Sequence, residues 1–242
     1  MEGWPRATPP MIFRDRREAG AQLAEALQSC RDRRPVVLAV PRGGVVVGYQ
    51  VAVALDAPLD VVVPRKLRAP FNPELAIGAV AHDGSVYLDE GLVRTLGVPD
   101  DYLRQEIAYQ TEEIRRRMHA YRGERPLPDV AGATAIVVDD GVATGATMIA
   151  ALRAVRALGP RELVAAVPVA PPETVERLRR EADQVVCLHT PALFYAVGQF
   201  YEDFSQTTDE EVVALLRARA AQLPADLAAR PAGRDATGEP GG

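Results

Sequence analysis

Predominantly apolar runs alternate with helically spaced apolar positions along this chain. Residues 35–40, 59–63, 135–138, 163–169 and 184–188 are short runs dominated by valine, alanine and leucine. A strand with one wet face would alternate polar and apolar side chains, so these runs predict strands buried on both faces. Segments of helical period lie around them. In residues 13–31, Ala19, Leu23, Ala26 and Leu27 recur, and residues 45–55 read as a small-residue helix. Residues 100–121 carry Leu103, Ile107, Ile114, Met118 and Tyr121 as one stripe, and further helices are predicted over 146–158, 172–180 and 209–221. Asp100 or Asp101 is placed to cap the helix at 100–121, and Glu112/Arg116 and Glu113/Arg117 offer i,i+4 pairs on its polar side. Gly159-Pro160 closes the helix that begins at residue 146.

Residues 64–86 interrupt this alternation. Pro64, Pro70 and Pro73 predict irregular chain, apart from an apolar piece at 75–80, a turn at His82-Asp83-Gly84-Ser85 and a returning hairpin strand at 86–88. Residues 189–205 read as an aromatic-rich loop. Residues 1–12 read as a loose arm, and the alanine, proline and glycine of 222–242 as a disordered tail. No internal repeat is present. The alternation as a whole predicts one α/β domain over 13–221, an open, mostly parallel, twisted sheet with helices on both faces.

Composition narrows the classes. Of 242 residues, 48% are hydrophobic and 25% charged, which is globular usage. The two cysteines, Cys30 and Cys187, stand far apart, which argues against a disulfide scaffold or a zinc ribbon and for a reducing compartment. No run reaches the roughly 18 apolar residues of a membrane span, and the first 25 residues lack the apolar core of a secretion signal. A cytoplasmic protein with no membrane partner is therefore expected. The net charge of -5 argues against a nucleic-acid partner. His82, His119 and His189 have no neighbours at metal-ligand spacing. Of the 28 basic residues 27 are arginine, so the single lysine, Lys66, points to a position suited to a compact ammonium.

The richest segment is VVDDGVATGAT at residues 137–147. In an open parallel sheet, ligands bind beyond the carboxyl ends of the strands, and the strand ending at Val138 delivers Asp139 and Asp140 there. The small residues that follow, with Gly141, Gly145, Thr144 and Thr147, let backbone N–H groups converge on a phosphate at a helix N-terminus. Carboxylates beside a phosphate cradle would repel a phosphate. They suit hydroxyls, or a metal, on the same ligand, and a phosphorylated sugar meets both demands. Arg42-Gly43-Gly44 ends the first buried strand at the same edge, where glycines admit close backbone approach and Arg42 can pair two phosphate oxygens.

Residues 137–147 resemble the 5-phosphoribosyl-1-pyrophosphate (PRPP) signature of the type I phosphoribosyltransferases. The resemblance implies that Asp139 and Asp140 hold the ribose 2- and 3-hydroxyls and that Ala143, Thr144, Gly145, Ala146 and Thr147 bind the 5-phosphate. Gly141 departs from the aliphatic residue many members carry there. By the same resemblance Arg42, Gly43 and Gly44 form the pyrophosphate loop, in which the family often has a cis peptide. Residues 64–86 resemble its flexible loop or hairpin, with Arg65 and Lys66 as catalytic cations. A small hood for the acceptor would draw on 189–205, where Tyr195 and Phe200 are the rings chosen to face a heterocycle.

The implied reaction moves a 5-phosphoribosyl group from PRPP to a nitrogen acceptor with release of pyrophosphate and with Mg²⁺ as cofactor. The resemblance also implies a homodimer by analogy. Two alternatives stay open at this point. One is a PRPP- or nucleotide-binding regulator that keeps the fold without catalysis. The other is a different phosphate enzyme such as a phosphatase, which would need a lysine or histidine constellation that the sequence does not offer.

Overall fold

Continuous apolar strands demand cover on both faces, and the computed structural model of the chain, which describes residues 13–80, 86–123, 125 and 128–223, supplies it. The arm at 1–12, the turn at 82–85 and the tail from 224 onward lie outside the described residues. Strand β1 (Pro35–Ala39), β2 (Leu59–Val61), β6 (Thr134–Val138), β7 (Glu162–Val169) and β8 (Gln184–His189) form one sheet in the order β2-β1-β6-β7-β8, with every pairing parallel. This is the predicted α/β architecture. Val37, Ala39, Ile136, Val138, Val164 and Ala166 pack on one face, under α1 (Arg16–Ala26), α2 (Gly43–Ala54) and α7 (Asp209–Gln222). Val36, Leu38, Ala135, Val137, Leu163 and Ala165 pack on the other, against α5 (Ala146–Arg156) and α6 (Pro172–Leu178). Each buried valine, leucine or isoleucine among them contributes about 1.5–3 kcal/mol relative to exposure.

The chain builds β1, steps outward to β2, then returns to place β6 on the other flank of β1. Strand order therefore reverses between β1 and β6, which opens a crevice where their carboxyl ends diverge. Both sequence motifs leave the sheet at this point.

Several boundaries and contacts differ from the sequence reading. The helix expected over 13–31 is α1, capped by the Asp15 carboxylate, which accepts from the backbone N–H groups of Arg17 and Glu18, followed by a 3₁₀ turn, Gln28–Arg33. The described part of this stretch, 64–80, is not irregular. It holds β3 (Arg65–Ala69) and β4 (Asn72–Val80), which with β5 (Val86–Leu88) make a second, antiparallel sheet. The returning strand at 86–88 is where it was expected, Val80 pairing with Val86. Proline hid β3 from a run-based reading, although Leu67 and Ala69 alternate with arginine as a half-buried strand should.

Helix α3 (Glu90–Thr95), which the pattern did not predict, follows from a local cap: the Asp89 carboxylate accepts from Leu92 N–H at 2.9 Å. Helix α4 (Asp100–Arg122) starts at Pro99 rather than at an aspartate cap, so Asp100 and Asp101 act from the first turn through the helix dipole. Its glutamates form i,i+3 pairs rather than i,i+4: Glu112 with Arg115, and Glu113 with Arg116 and, across to β3, Arg65. The aromatic segment 189–205 contains a 3₁₀ turn, Val197–Phe200, and its end pairs with the start of the described chain. Phe13 N–H donates to the Phe200 carbonyl and Glu202 N–H to the Phe13 carbonyl, each at 2.8 Å.

Candidate active site at the carboxyl edge of the sheet

Val138 is the last residue of a fully buried strand, so the next two residues emerge at the crevice whatever their polarity. Asp139 and Asp140 are half-buried there, and Asp140 N–H donates to Asp139 Oδ1 at 2.9 Å. Burial disfavours the Asp139 anion, and the Asp140 charge adds to it; together they hold the Asp139 carboxyl well above the usual carboxylate range.

Asp140 is anchored by residues remote in sequence. Arg16 Nε donates to Asp140 Oδ2 at 2.6 Å, Arg16 Nη1 donates to the Ser205 carbonyl at 2.7 Å, and the guanidinium lies 3.9 Å from the centre of the Phe204 ring. Tyr201 Oη donates to the Asp140 carbonyl at 2.5 Å. Burial, with the two nearby carboxylates, pushes the Tyr201 hydroxyl strongly upward, so it stays a donor.

The loop after the acids turns its carbonyls outward. Thr174 Oγ1 donates to the Ala143 carbonyl and Arg177 to the Thr144 carbonyl, both at 2.6 Å. Gly145 takes φ +83°, a left-handed conformation that glycine adopts without steric cost, and opens α5. Among the described residues, no acceptor meets the N–H groups of Ala143, Thr144, Gly145, Ala146 or Thr147. A run of free N–H groups at a helix N-terminus is an anion cradle. The glycine at 141 also finds its reason: a Cβ there would lie 2.4 Å from Val197 Cγ1, because the 3₁₀ turn at 197–200 packs directly on the loop.

The Arg42-Gly43-Gly44 turn meets the acids from β1. The Pro41–Arg42 peptide is cis. A Cβ on Gly43 would sit 1.9 Å from Asp140 Oδ2, and one on Gly44 would sit 2.9 Å from the Val138 carbonyl, so both glycines are required by the close approach of the two loops. The Arg42 side chain turns toward α7, 4.0 Å from Asp209, whose carboxylate accepts from Tyr121 Oη.

The remaining expected site residues scatter. Arg65 and Lys66 leave β3 on opposite sides: Arg65 pairs with Glu113 at 3.0 Å, whereas Lys66 lines a groove beside Ala146. Phe200, expected to face a ligand, is instead enclosed at 1% exposure with Phe194, Phe13 and Tyr201, and offers no free ring face. Tyr195 is 85% exposed; the Gln199 side chain, which accepts from the backbone N–H groups of Tyr195 and Ala196, orders its segment. His189 packs its ring against Phe13, and burial lowers its pKa. Arg16, Tyr201, Thr174 and Arg177 escaped the sequence reading, since nothing local marks them. Their roles come from segments 31 to 124 residues away.

With this geometry in view, comparison with known proteins is specific. The phosphoribosyl transferase domain family matches residues 13–205. Two Mycobacterium tuberculosis proteins, from strains CDC 1551 and H37Rv, that carry the provisional name phosphoribosyl transferase are each 47% identical over 205 residues, which is 85% of this chain. The chain spans 46% of the length of those two relatives. A crystal structure of the Thermus thermophilus protein TT1426 superposes with a TM-score of 0.78 at 51% identity, covering 85% of this chain and 98% of that one.

Proposed function

The chain belongs to the phosphoribosyl transferase family, and on that premise we propose that it transfers a 5-phosphoribosyl group from PRPP to a nitrogen of a nucleobase-like heterocycle. One observation carries the reading: five backbone N–H groups, at residues 143–147, find no acceptor among the described residues and follow directly on two adjacent carboxylates. The cradle takes the 5-phosphate. Asp139 and Asp140 accept from the ribose 2- and 3-hydroxyls, and those donors offset the burial and the Asp140 charge that together hold the Asp139 proton. The turn at Arg42, Gly43 and Gly44 faces the pyrophosphate, with its backbone as close to the acids as glycine allows.

In the reaction, the bond from the anomeric carbon to the pyrophosphate oxygen breaks and its electron pair leaves with the oxygen. The nitrogen lone pair of the acceptor forms the new bond, and the acceptor proton passes to solvent. Positive charge grows on the sugar ring between these events, where two carboxylates fixed by Arg16 and the backbone stabilise it at no cost in reorganisation. Holding the phosphate and the hydroxyls at two separate points orients the anomeric carbon. Tyr195, exposed two residues from the turn that packs on Gly141, is the ring we assign to the acceptor.

Among the described residues, no group of three or more His, Cys, Asp or Glu side chains could hold a metal ion. One oxygen of the acidic pair is already taken by Arg16 and another by a backbone N–H. The oxygens left over on Asp139 and Asp140 would suit a hard, well-hydrated ion such as Mg²⁺ brought in by the pyrophosphate, and these two residues would be the ones to hold it. Its contribution would be neutralisation of the leaving group.

The test is titration calorimetry with PRPP, with and without Mg²⁺, on the parent and on Asp139→Asn/Asp140→Asn. Mg²⁺-dependent binding that the double variant weakens at least tenfold, about 1.4 kcal/mol, supports the donor site. Absence of PRPP binding in the parent overturns it.

A further inference from the structure

A second, more basic recess adjoins the phosphate loop on its outer side. It is a groove of ≈ 360 Å³ between β3–β4 and helices α5 and α6, and it reaches Ala146 at one end. Four cationic side chains line it, Lys66, Arg153, Arg177 and Arg180, against the single carboxylate of Glu181; the rest of the wall is alanine, glycine and isoleucine. Arg153 is already compensated: it holds Glu181 through two hydrogen bonds, 2.9 and 2.5 Å, and lies 4.5 Å from the centre of the Tyr87 ring. Arg177 spends one N–H on the Thr144 carbonyl. Among the described residues, the Lys66 ammonium and the Arg180 guanidinium form neither ion pair nor hydrogen bond. Four cations less one carboxylate leave three positive charges facing one concave space.

Such an arrangement is self-repelling unless an anion joins it, and three convergent charges ask for more than one carboxylate would bring. Arginine forks and a lysine point charge together match a phosphate group that carries two or more negative charges. We propose that this groove binds a second phosphate-bearing small molecule, separate from the ligand of loop 143–147. The occupant and the loop share Arg177, whose guanidinium has N–H groups left for a phosphate beside the one it gives to the Thr144 carbonyl. The single lysine of the chain then serves this groove. The proposal does not depend on the donor reading.

Inorganic phosphate is the probe. It is titrated calorimetrically into parent, Arg180→Glu and Arg180→Lys proteins, each in the presence and absence of saturating PRPP and Mg²⁺. The expected result is a phosphate site that survives PRPP saturation, is weakened at least tenfold by Arg180→Glu and is retained by Arg180→Lys, while the PRPP affinity of Arg180→Glu in phosphate-free buffer stays within twofold of the parent. If PRPP does not bind at all, the donor reading falls, and the comparison without PRPP still reports on the groove. Phosphate binding that Arg180→Glu leaves unchanged overturns the proposal. So does a phosphate site that PRPP abolishes, because the groove would then be one part of the donor site.

Discussion

Arg16 gives the sharpest test of how this site is built. Its guanidinium makes a 2.6 Å charge-assisted bond to Asp140, a 2.7 Å bond to the Ser205 carbonyl and a stacking contact with Phe204 at 3.9 Å, and only 11% of its side chain and 14% of that of Asp140 reach solvent. A hydrogen bond to a charged group is worth about 1.5–3 kcal/mol, and a desolvated cation–ring contact about 0.5–2 kcal/mol. These contributions share one group and do not simply add, so a single substitution would not separate them. A double-mutant cycle of Arg16→Met and Asp140→Asn, followed by urea unfolding, isolates the pairwise part. We expect a coupling of about 1.5–3 kcal/mol. We also expect Arg16→Met alone to weaken PRPP at least tenfold, because it frees the carboxylate that the proposed function assigns to a hydroxyl. The same substitution on an Asp140→Asn background should change PRPP affinity little. A coupling below about 0.5 kcal/mol, the size of ordinary non-additivity between independent sites, would refute the positioning role.

Gly43→Ala should weaken PRPP at least tenfold and destabilise the fold by about 1–3 kcal/mol, since its Cβ would stand 1.9 Å from Asp140 Oδ2; calorimetry and urea unfolding check both, and parent-like values would show that the two loops can separate freely. Asp139→Asn should raise the melting temperature at pH 7 while abolishing PRPP binding. The native state keeps the Asp139 proton above the pH at which the unfolded chain releases it, so the parent loses stability as pH rises from the ordinary carboxylate value toward the elevated native one. Melting scans from pH 4 to 8 should show the variant's advantage growing with pH, and a variant less stable than the parent at pH 7 contradicts this. Burial pushes the Cys187 thiol up to about 11, so at pH 8 roughly one molecule in a thousand carries the thiolate. Reaction of Cys187 with a disulfide reagent should therefore be slow until urea unfolds the protein, and fast labelling of the native state by mass spectrometry would count against that environment.

The sheet and the phosphate loop were legible in the order of residues along the chain. The run at 135–138 is short, β-branched and followed by glycine-rich chain, so it reads as a strand buried on both faces, and the two acids with small and hydroxylated residues after them read as the turn at its carboxyl end. Local chemistry of that kind, strand burial and backbone freedom at Gly145, is carried by neighbouring residues and is legible one segment at a time. Tertiary structure decided the rest, because it depends on segments that the sequence separates. Nothing near Arg16 announces that it will meet Asp140 124 residues later; that contact exists because Phe13 pairs with the segment around Tyr201. Phe200 and Tyr195 are indistinguishable as aromatic residues of one loop, yet packing against Phe13 and Phe194 buries the first and leaves the second in solvent. The hairpin at β3–β4 was hidden by its prolines, and only its folding against α4 and α5 sent Arg65 to Glu113 and Lys66 to the basic groove. Which cations stand free and which are spent on a partner is a property of packing, since a charge is neutralised by what folds against it and not by what precedes it in the chain.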